Sequence, residues 1–86
     1  MAYSVRIEGT ALKQLEKLDK PIQRRITAFL KTRAAINPRS YGAALEGELS
    51  GYWKYRVGDY RIVAEIQDKL LVVNVVKVGN RREVYR

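Results

Sequence analysis

Gly51-Tyr52-Trp53-Lys54-Tyr55-Arg56-Val57-Gly58-Asp59-Tyr60-Arg61 is the stretch on which the fold turns, because it can be paired with itself. Two alternating runs flank Gly58-Asp59, and a glycine at the first central position is what a type II′ hairpin loop requires. With these two residues as the loop, Val57 is placed opposite Tyr60, Arg56 opposite Arg61, Tyr55 opposite Ile62 and Lys54 opposite Val63. Side chains alternate across a strand, so Trp53, Tyr55, Val57, Tyr60, Ile62 and Ala64 share one side, and Tyr52, Lys54, Arg56, Arg61, Val63 and Glu65 the other. The first set reads as a core face. The second sets two arginines across from each other with a lysine alongside, which opposes strand pairing unless something anionic compensates. The plainer reading is long side chains with solvated heads; a basic strand face alone points only moderately to phosphate.

The chain has 86 residues, enough for one small domain, 1–86, with a single core. A hydrophobic content of 47% argues against disorder. The longest apolar run, Leu70 to Val76, is broken by Asn74 and too short to cross a membrane. Met1-Ala2-Tyr3 shows no basic-then-apolar leader, so a cytoplasmic location is expected. There is no cysteine, which removes disulfides, thiol nucleophiles and thiolate metal sites together. With no histidine either, a zinc site is not expected, and acid-base chemistry at neutral pH must fall to Lys, Arg, Tyr, Asp or Glu. No cofactor or metal is called for. A formal charge of +8 and a pI near 10.1 favour acidic partners, nucleic acid first among them, although an acidic protein would also fit.

Around the hairpin the rest of the chain arranges itself as β-α-α-β-β-β, an α+β fold. Tyr3, Val5 and Ile7 alternate with polar neighbours, which predicts a short half-buried strand ended by Gly9. Thr10 can cap a helix carrying Ala11, Leu12, Leu15 and Leu18 at helical spacing. Asp19-Lys20-Pro21 then turns into a second helix with Ile22, Ile26, Phe29 and Leu30 on its buried stripe. The pair reads as an antiparallel αα-hairpin with one face buried and Lys13, Lys17, Arg24 and Arg25 among the polar positions between. Asn37-Pro38 stops the second helix, and Arg39 to Ser50 is expected to be a loop anchored by Leu45 and Leu49. After the hairpin, Gln67-Asp68-Lys69 holds a turn. Leu70 to Val78 is β-branched enough to be a strand buried on both faces or nearly so. Running antiparallel to its neighbour, that strand would bring Arg81 and Tyr85 toward the Arg56-Arg61 pair. For Arg82 and Arg86 the plainer reading is a frayed basic terminus.

Taken in order, the Asn37-Pro38 break, Leu45-x-Gly47, the Trp53 to Arg61 core and the closing Val78-Gly79-Asn80-Arg81-Arg82-Glu83-Val84-Tyr85 resemble the RelE toxins of bacterial toxin-antitoxin systems, within the RelE/ParE superfamily. The likeness spans nearly the whole chain. It implies two N-terminal helices packed on a small, mainly antiparallel sheet. It also implies an mRNA interferase, an endoribonuclease that enters the ribosomal A site and cleaves the codon there without metal. Such a reaction needs an acceptor for the 2′-OH proton, positive charge on the crowded phosphorane, and a donor for the departing 5′-oxygen. Carried over by position, the resemblance makes Lys54 the base, Arg61 the phosphate-stabilising arginine, Arg81 the residue for charge stabilisation or leaving-group protonation, and Tyr85 the residue that orients substrate. Tyr85 is an alternative proton acceptor. Arg56, Tyr52 and Arg82 join them as RNA- and phosphate-binding residues. Tyr52 stands where some relatives carry a second lysine, so it can stack on a base but brings no cation.

The resemblance further implies a cognate antitoxin, with ribosome and mRNA as targets and operator DNA reached only through the antitoxin. The chain stops one residue after Tyr85, without the C-terminal helix of several relatives. An antitoxin is therefore expected to wrap the αα-hairpin and the open sheet edge, adding a strand there and covering the basic face with an acidic segment. Two alternatives stand beside the ribonuclease. One is a ParE-like inhibitor of DNA gyrase with the same fold, the other a basic RNA-binding module without catalysis. Lys54, Arg61, Arg81 and Tyr85 together favour the ribonuclease, because the gyrase-directed branch generally lacks the full set. Trp53, Tyr55 and Tyr60 are assigned to the core rather than to base stacking.

Overall fold

The hairpin forms in the register that its alternation sets. In a computed structural model of the chain, which describes residues 2–82, β3 (Trp53–Val57) runs antiparallel to β4 (Tyr60–Gln67). Val57 lies opposite Tyr60, Arg56 opposite Arg61, Tyr55 opposite Ile62 and Lys54 opposite Val63. Gly58 takes φ of 58° while Asp59 stays out of the left-handed region, as a type II′ loop requires.

A further strand, β5 (Val72–Asn80), pairs antiparallel with β4, with a bulge where the register shifts between Val63 and Ala64. The opening strand β1 (Ser4–Ile7) joins the other edge of β5 in parallel. The sheet has a fifth member where the sequence predicts only loop. Two residues, β2 (Ala43–Ala44), pair antiparallel with Lys54 and Trp53, giving the order β1-β5-β4-β3-β2.

Helices α1 (Gly9–Glu16) and α2 (Lys20–Phe29) cover one face of this sheet. Ala11 and Leu15 of α1, and Ile26 of α2 with Leu30 and Ala34 beyond it, pack against Tyr55, Val57, Ile62, Ala64, Val73, Val75 and Val78 in one cluster. Each fully buried Val, Leu or Ile contributes about 1.5–3 kcal/mol of transfer free energy, so this cluster is the main source of stability. Trp53 and Tyr60 pack at its margin, half-buried.

Some local details differ from the sequence expectation. Helix α1 begins at Gly9, after Glu8, and Thr10 does not cap it; the Glu8 carboxylate instead accepts a hydrogen bond from Asn74 Nδ2 at 2.8 Å. Leu12 is exposed rather than buried, since α1 turns only Ala11 and Leu15 fully inward, and Leu49 is exposed at the end of the short 3-10 turn Gly47–Leu49. Between the helices, Gln23 Nε2 donates to the Leu18 carbonyl at 2.7 Å, holding the turn that Asp19 and Pro21 set. Past Phe29 the second helix widens into one π-type turn, Leu30–Ala34, in which the Ala35 N–H reaches back five residues to the Leu30 carbonyl at 2.8 Å.

The segment after Asn37 is held by aromatic side chains. Tyr55 Oη donates to the Pro38 carbonyl at 2.6 Å, and Trp53 Nε1 donates to the Tyr41 carbonyl at 2.7 Å. The Phe29 ring meets Tyr41 and Tyr55 edge-on, with centroids 5.7 and 5.5 Å away. Next to them Gly42, at φ of 73°, lies against β3, and a β-carbon there would stand 1.9 Å from the Lys54 carbonyl oxygen. Gly42→Ala is therefore expected to detach β2 from β3. The left-handed φ alone costs about 1–2 kcal/mol with any side chain, and the backbone overlap adds to it. Urea denaturation would register the loss, and hydrogen exchange would show the Lys54 region opening.

Within the same segment, at the end of the sheet away from the hairpin tip, Arg39 donates from Nη1 and Nη2 to the two Asp68 oxygens at 2.7 and 2.9 Å, and Tyr3 Oη donates to Oδ1 at 2.7 Å. This ties β1, the segment after α2 and the β4–β5 turn together. Hydrogen bonds from Arg39 first, and Tyr3 second, hold the Asp68 carboxyl down at about 2, below its ordinary 3.8. A depressed folded value means that the contribution is fully present above pH 3.8 and disappears as pH falls through 2. The urea midpoint is expected to decline across that window, and Asp68→Asn to flatten the decline. Among the described residues, no helix is long and apolar enough to cross a membrane.

Candidate functional site

The sheet face turned away from the helices carries the basic residues in register. In a two-residue hairpin the pair beside the loop exchanges hydrogen bonds, so the next pair, Arg56 and Arg61, is of the closer-spaced kind. Arg61 also lies opposite Gly79 of β5, which offers no side chain to fill the space beside it. One step along, Ala43, Lys54, Val63 and Lys77 form a row across four strands. Val63 is only 3% exposed although it belongs to this outer face, flanked in register by two lysines whose aliphatic stems can cover it. Glu65, Asn74 and Arg6 make the next row, with Gln67 Nε2 donating to the Glu65 carboxylate.

Among the described residues, four cations at this end of the sheet stand without a counter-charge. Arg39 pairs with Asp68 at the far end of the sheet, but Lys54, Arg56, Arg61 and Arg81 have no carboxylate partner among the described residues. Lys54 and Arg56 are exposed, and Arg61 is half-buried. The Arg61 guanidinium folds toward the hairpin tip, where Nη1 donates to the carbonyls of Gly58 and Tyr60, both at 3.1 Å. Its Nε and Nη2 donors have no acceptor among the described residues, so a fork of N–H groups stays available for an anion.

Arg81 reaches the same end of the sheet through its backbone. Its N–H donates to the Asp59 carbonyl at 3.0 Å, fastening the chain after β5 to the tip of the β3–β4 hairpin. The structure thus brings Lys54, Arg56 and Arg61 onto one face and ties Arg81 to the hairpin tip. Tyr52 sits half-buried just before β3, and Arg82 is exposed beyond Arg81 with its N–H bonded to Asn80 Oδ1 at 3.1 Å. Tyr85 lies outside the described residues.

Lys77 is the addition that sequence reasoning missed. The segment from Leu70 to Val78 reads as buried on both faces, but past the bulge Lys77 comes into line with Val63 and Lys54. The signal was present as a lone cation inside a valine run. Tyr55, by contrast, points into the core: burial pushes its hydroxyl up to about 12, and it donates to the Pro38 carbonyl.

Comparison with known proteins agrees with this architecture. The family model described as ParE toxin of type II toxin-antitoxin system, parDE, matches residues 5–85. The chain is 33% identical to Toxin RelG of Mycobacterium tuberculosis over 86 residues, covering all of this chain and 99% of that one. Among solved structures, it is similar to the toxin-antitoxin complex RelBE2 from Mycobacterium tuberculosis, with a TM-score of 0.90 and 31% identity, covering 94% of this chain and 100% of that chain. The isolated E. coli RelE toxin matches with a TM-score of 0.78 and 30% identity, over 98% of this chain and 92% of that chain. Matched nearly end to end in sequence and in backbone, this chain belongs to the RelE/ParE family of type II toxin-antitoxin toxins, as a RelE-like member.

Proposed function

We propose that this protein is a ribosome-dependent mRNA endoribonuclease that inhibits translation by cutting the A-site codon. The observation that carries the reading is the row of cations on the outer sheet face: Lys54, Arg56 and Arg61 in register, uncompensated among the described residues, with Arg81 fastened at the same hairpin tip. RNA supplies its own nucleophile. The 2′-oxygen attacks the adjacent phosphorus, Lys54 takes its proton, and the P–O5′ bond breaks as the cyclic phosphate closes. Arg61 donates to the non-bridging oxygens where charge develops, and Arg81 stabilises that charge or protonates the leaving 5′-oxygen. Arg56 holds a neighbouring phosphate, Tyr52 stacks on a base, and Tyr85 and Arg82 help orient the strand. The cations lie on an open face, so alignment of the 2′-oxygen with the breaking bond has to be imposed from outside, which is the part assigned to the A site.

The same reading gives the chain a cognate antitoxin as partner, as in the RelBE2 complex of the M. tuberculosis relative. An acidic segment laid over this face would neutralise the toxin directly. The name of the matched family model favours one other reading, a ParE-like action on DNA gyrase. Primer extension on a reporter mRNA after brief induction, with replication followed in parallel, separates the two. Translation-dependent cuts inside codons, lost in Arg81→Ala, are the expected result. Intact mRNA with stalled replication would transfer the toxin to gyrase.

A further inference from the structure

On the helix side of the β3 edge, a cleft of about 430 Å³ opens beside the hairpin tip, with Arg25, Phe29, Arg33, Arg56 and Gly58 in its lining. Three of these lining residues are arginines. Arg25 lies over the tip itself, close enough that a β-carbon on Gly58 would meet its Nη2 at 3.5 Å. All three arginines are exposed, and none has a carboxylate or other hydrogen-bond acceptor among the described residues. Like charges gathered without a counter-charge repel one another, and the cleft between them is where an anion would relieve that repulsion.

The π-type turn explains how the cleft is built. Arg25 and Arg33 are eight residues apart, which in a regular α-helix leaves them about 80° out of line at 100° per residue. The wider turn over Leu30–Ala34 absorbs that excess, and Arg33 lines the same cleft as Arg25, on the side facing β3.

The geometry points to a second phosphate site, in which Arg25, Arg33 and Arg56 hold the phosphodiester backbone of RNA away from the cleavage row. Arg56 is common to both places: it lines the cleft and stands opposite Arg61 on the outer face. A strand bound at Lys54 and Arg61 could therefore continue around the β3 edge, which β2 leaves unpaired beyond Lys54, from one set of arginines to the other. Arginine forks suit phosphate oxygens in pairs, and that continuity favours a polyanion over separate carboxylates of a protein. That the polyanion is RNA rests on the ribonuclease reading; the site itself rests on the cleft.

The test is Arg25→Gln/Arg33→Gln, compared with a charge-matched Lys13→Gln/Lys69→Gln control. Binding is measured by anisotropy against a labelled single-stranded RNA, and by sedimentation against purified small ribosomal subunits. The cleft variant is expected to bind at least one probe about tenfold more weakly than the control. On the single strand, loss of two phosphates should reduce the salt slope by about 1.4. A deficit on the single strand assigns the site to messenger; one confined to subunits assigns it to ribosomal RNA. If the cleft variant and the control bind both probes alike, the site does not exist. The site is equally overturned if the only loss is toward an acidic glutamate-rich peptide. Arg25→Lys/Arg33→Lys, which keeps the charge and removes the forks, provides an intermediate variant should the glutamines disturb folding. Wild-type codon cleavage is scored alongside: cleft-dependent RNA binding without cleavage would remove the ribonuclease reading and leave the cleft, and the reverse would remove the cleft alone.

Discussion

Arg61→Ala is expected to slow codon cleavage by about 10²–10³-fold, the usual cost of removing one donor aimed at developing oxyanion charge. The side chain is anchored by two bonds from Nη1 to backbone carbonyls at the hairpin tip, which fixes the direction of its remaining donors before any substrate arrives. That preorganisation is why the loss should fall on the chemical step. In single-turnover cleavage on programmed ribosomes, the rate constant should drop while the ribosome concentration for half-maximal rate changes little. Arg61→Lys retains the charge without the fork and should recover only part of the rate. Stability should move by about 1 kcal/mol or less, because the bonds lost are at the surface. Cleavage at the wild-type rate by Arg61→Ala would take phosphate stabilisation away from this residue.

Tyr55→Ala should have the largest effect on folding. Its side chain is fully buried, touches the Phe29 ring edge-on and bonds the Pro38 carbonyl. Removing a buried aromatic typically costs about 3–5 kcal/mol, and small proteins have only about 5–15 kcal/mol in total. The variant is therefore expected to be largely unfolded at 37 °C by circular dichroism, and non-toxic for that reason alone. Tyr55→Phe isolates the hydroxyl: it keeps the ring, leaves the Pro38 carbonyl unpaired, and should cost about 1–3 kcal/mol. It should also change the alkaline limb. Burial raises the Tyr55 hydroxyl from 10.0 to about 12, so its contribution is complete below pH 10.0 and is lost as pH rises through 12. Wild type should lose stability across that window, and Tyr55→Phe should lose less.

Much of this fold is legible in the sequence because short-range rules decide it. A two-residue loop leaves one register, and that register settles which side of β3 and β4 is core. The helices are legible from apolar spacing, and the approach of Arg81 to the hairpin follows once β5 is antiparallel to β4. What escapes is set by contacts distant in sequence. Strand β2 has two alanines and no alternation; it exists because Gly42 lies flat against Lys54. Glu8 is drawn to Asn74, which no local pattern announces, and Thr10 gains no capping role because the helix already begins at Gly9. Lys77 joins the basic face only after a bulge has reset the alternation of β5. The arginines of the second helix look like an ordinary solvated face until one wide turn lines them up beside Arg56.

Strand β5 has a consequence for when this toxin can act. It lies between β1 and β4, so the first strand of the chain waits for a partner more than sixty positions downstream, with Ser4 opposite Val72. Helix α1 is bonded to the same strand, through Gln14 and the Val78 N–H. While a ribosome is still making the chain, β1 and α1 have nothing to close upon. Contacts so far apart in sequence also make for slow folding. The ribosome that synthesises the toxin therefore handles an unfinished sheet, and Lys77 and Arg81 join the basic face only after β5 has emerged, which leaves an interval in which capture can precede activity.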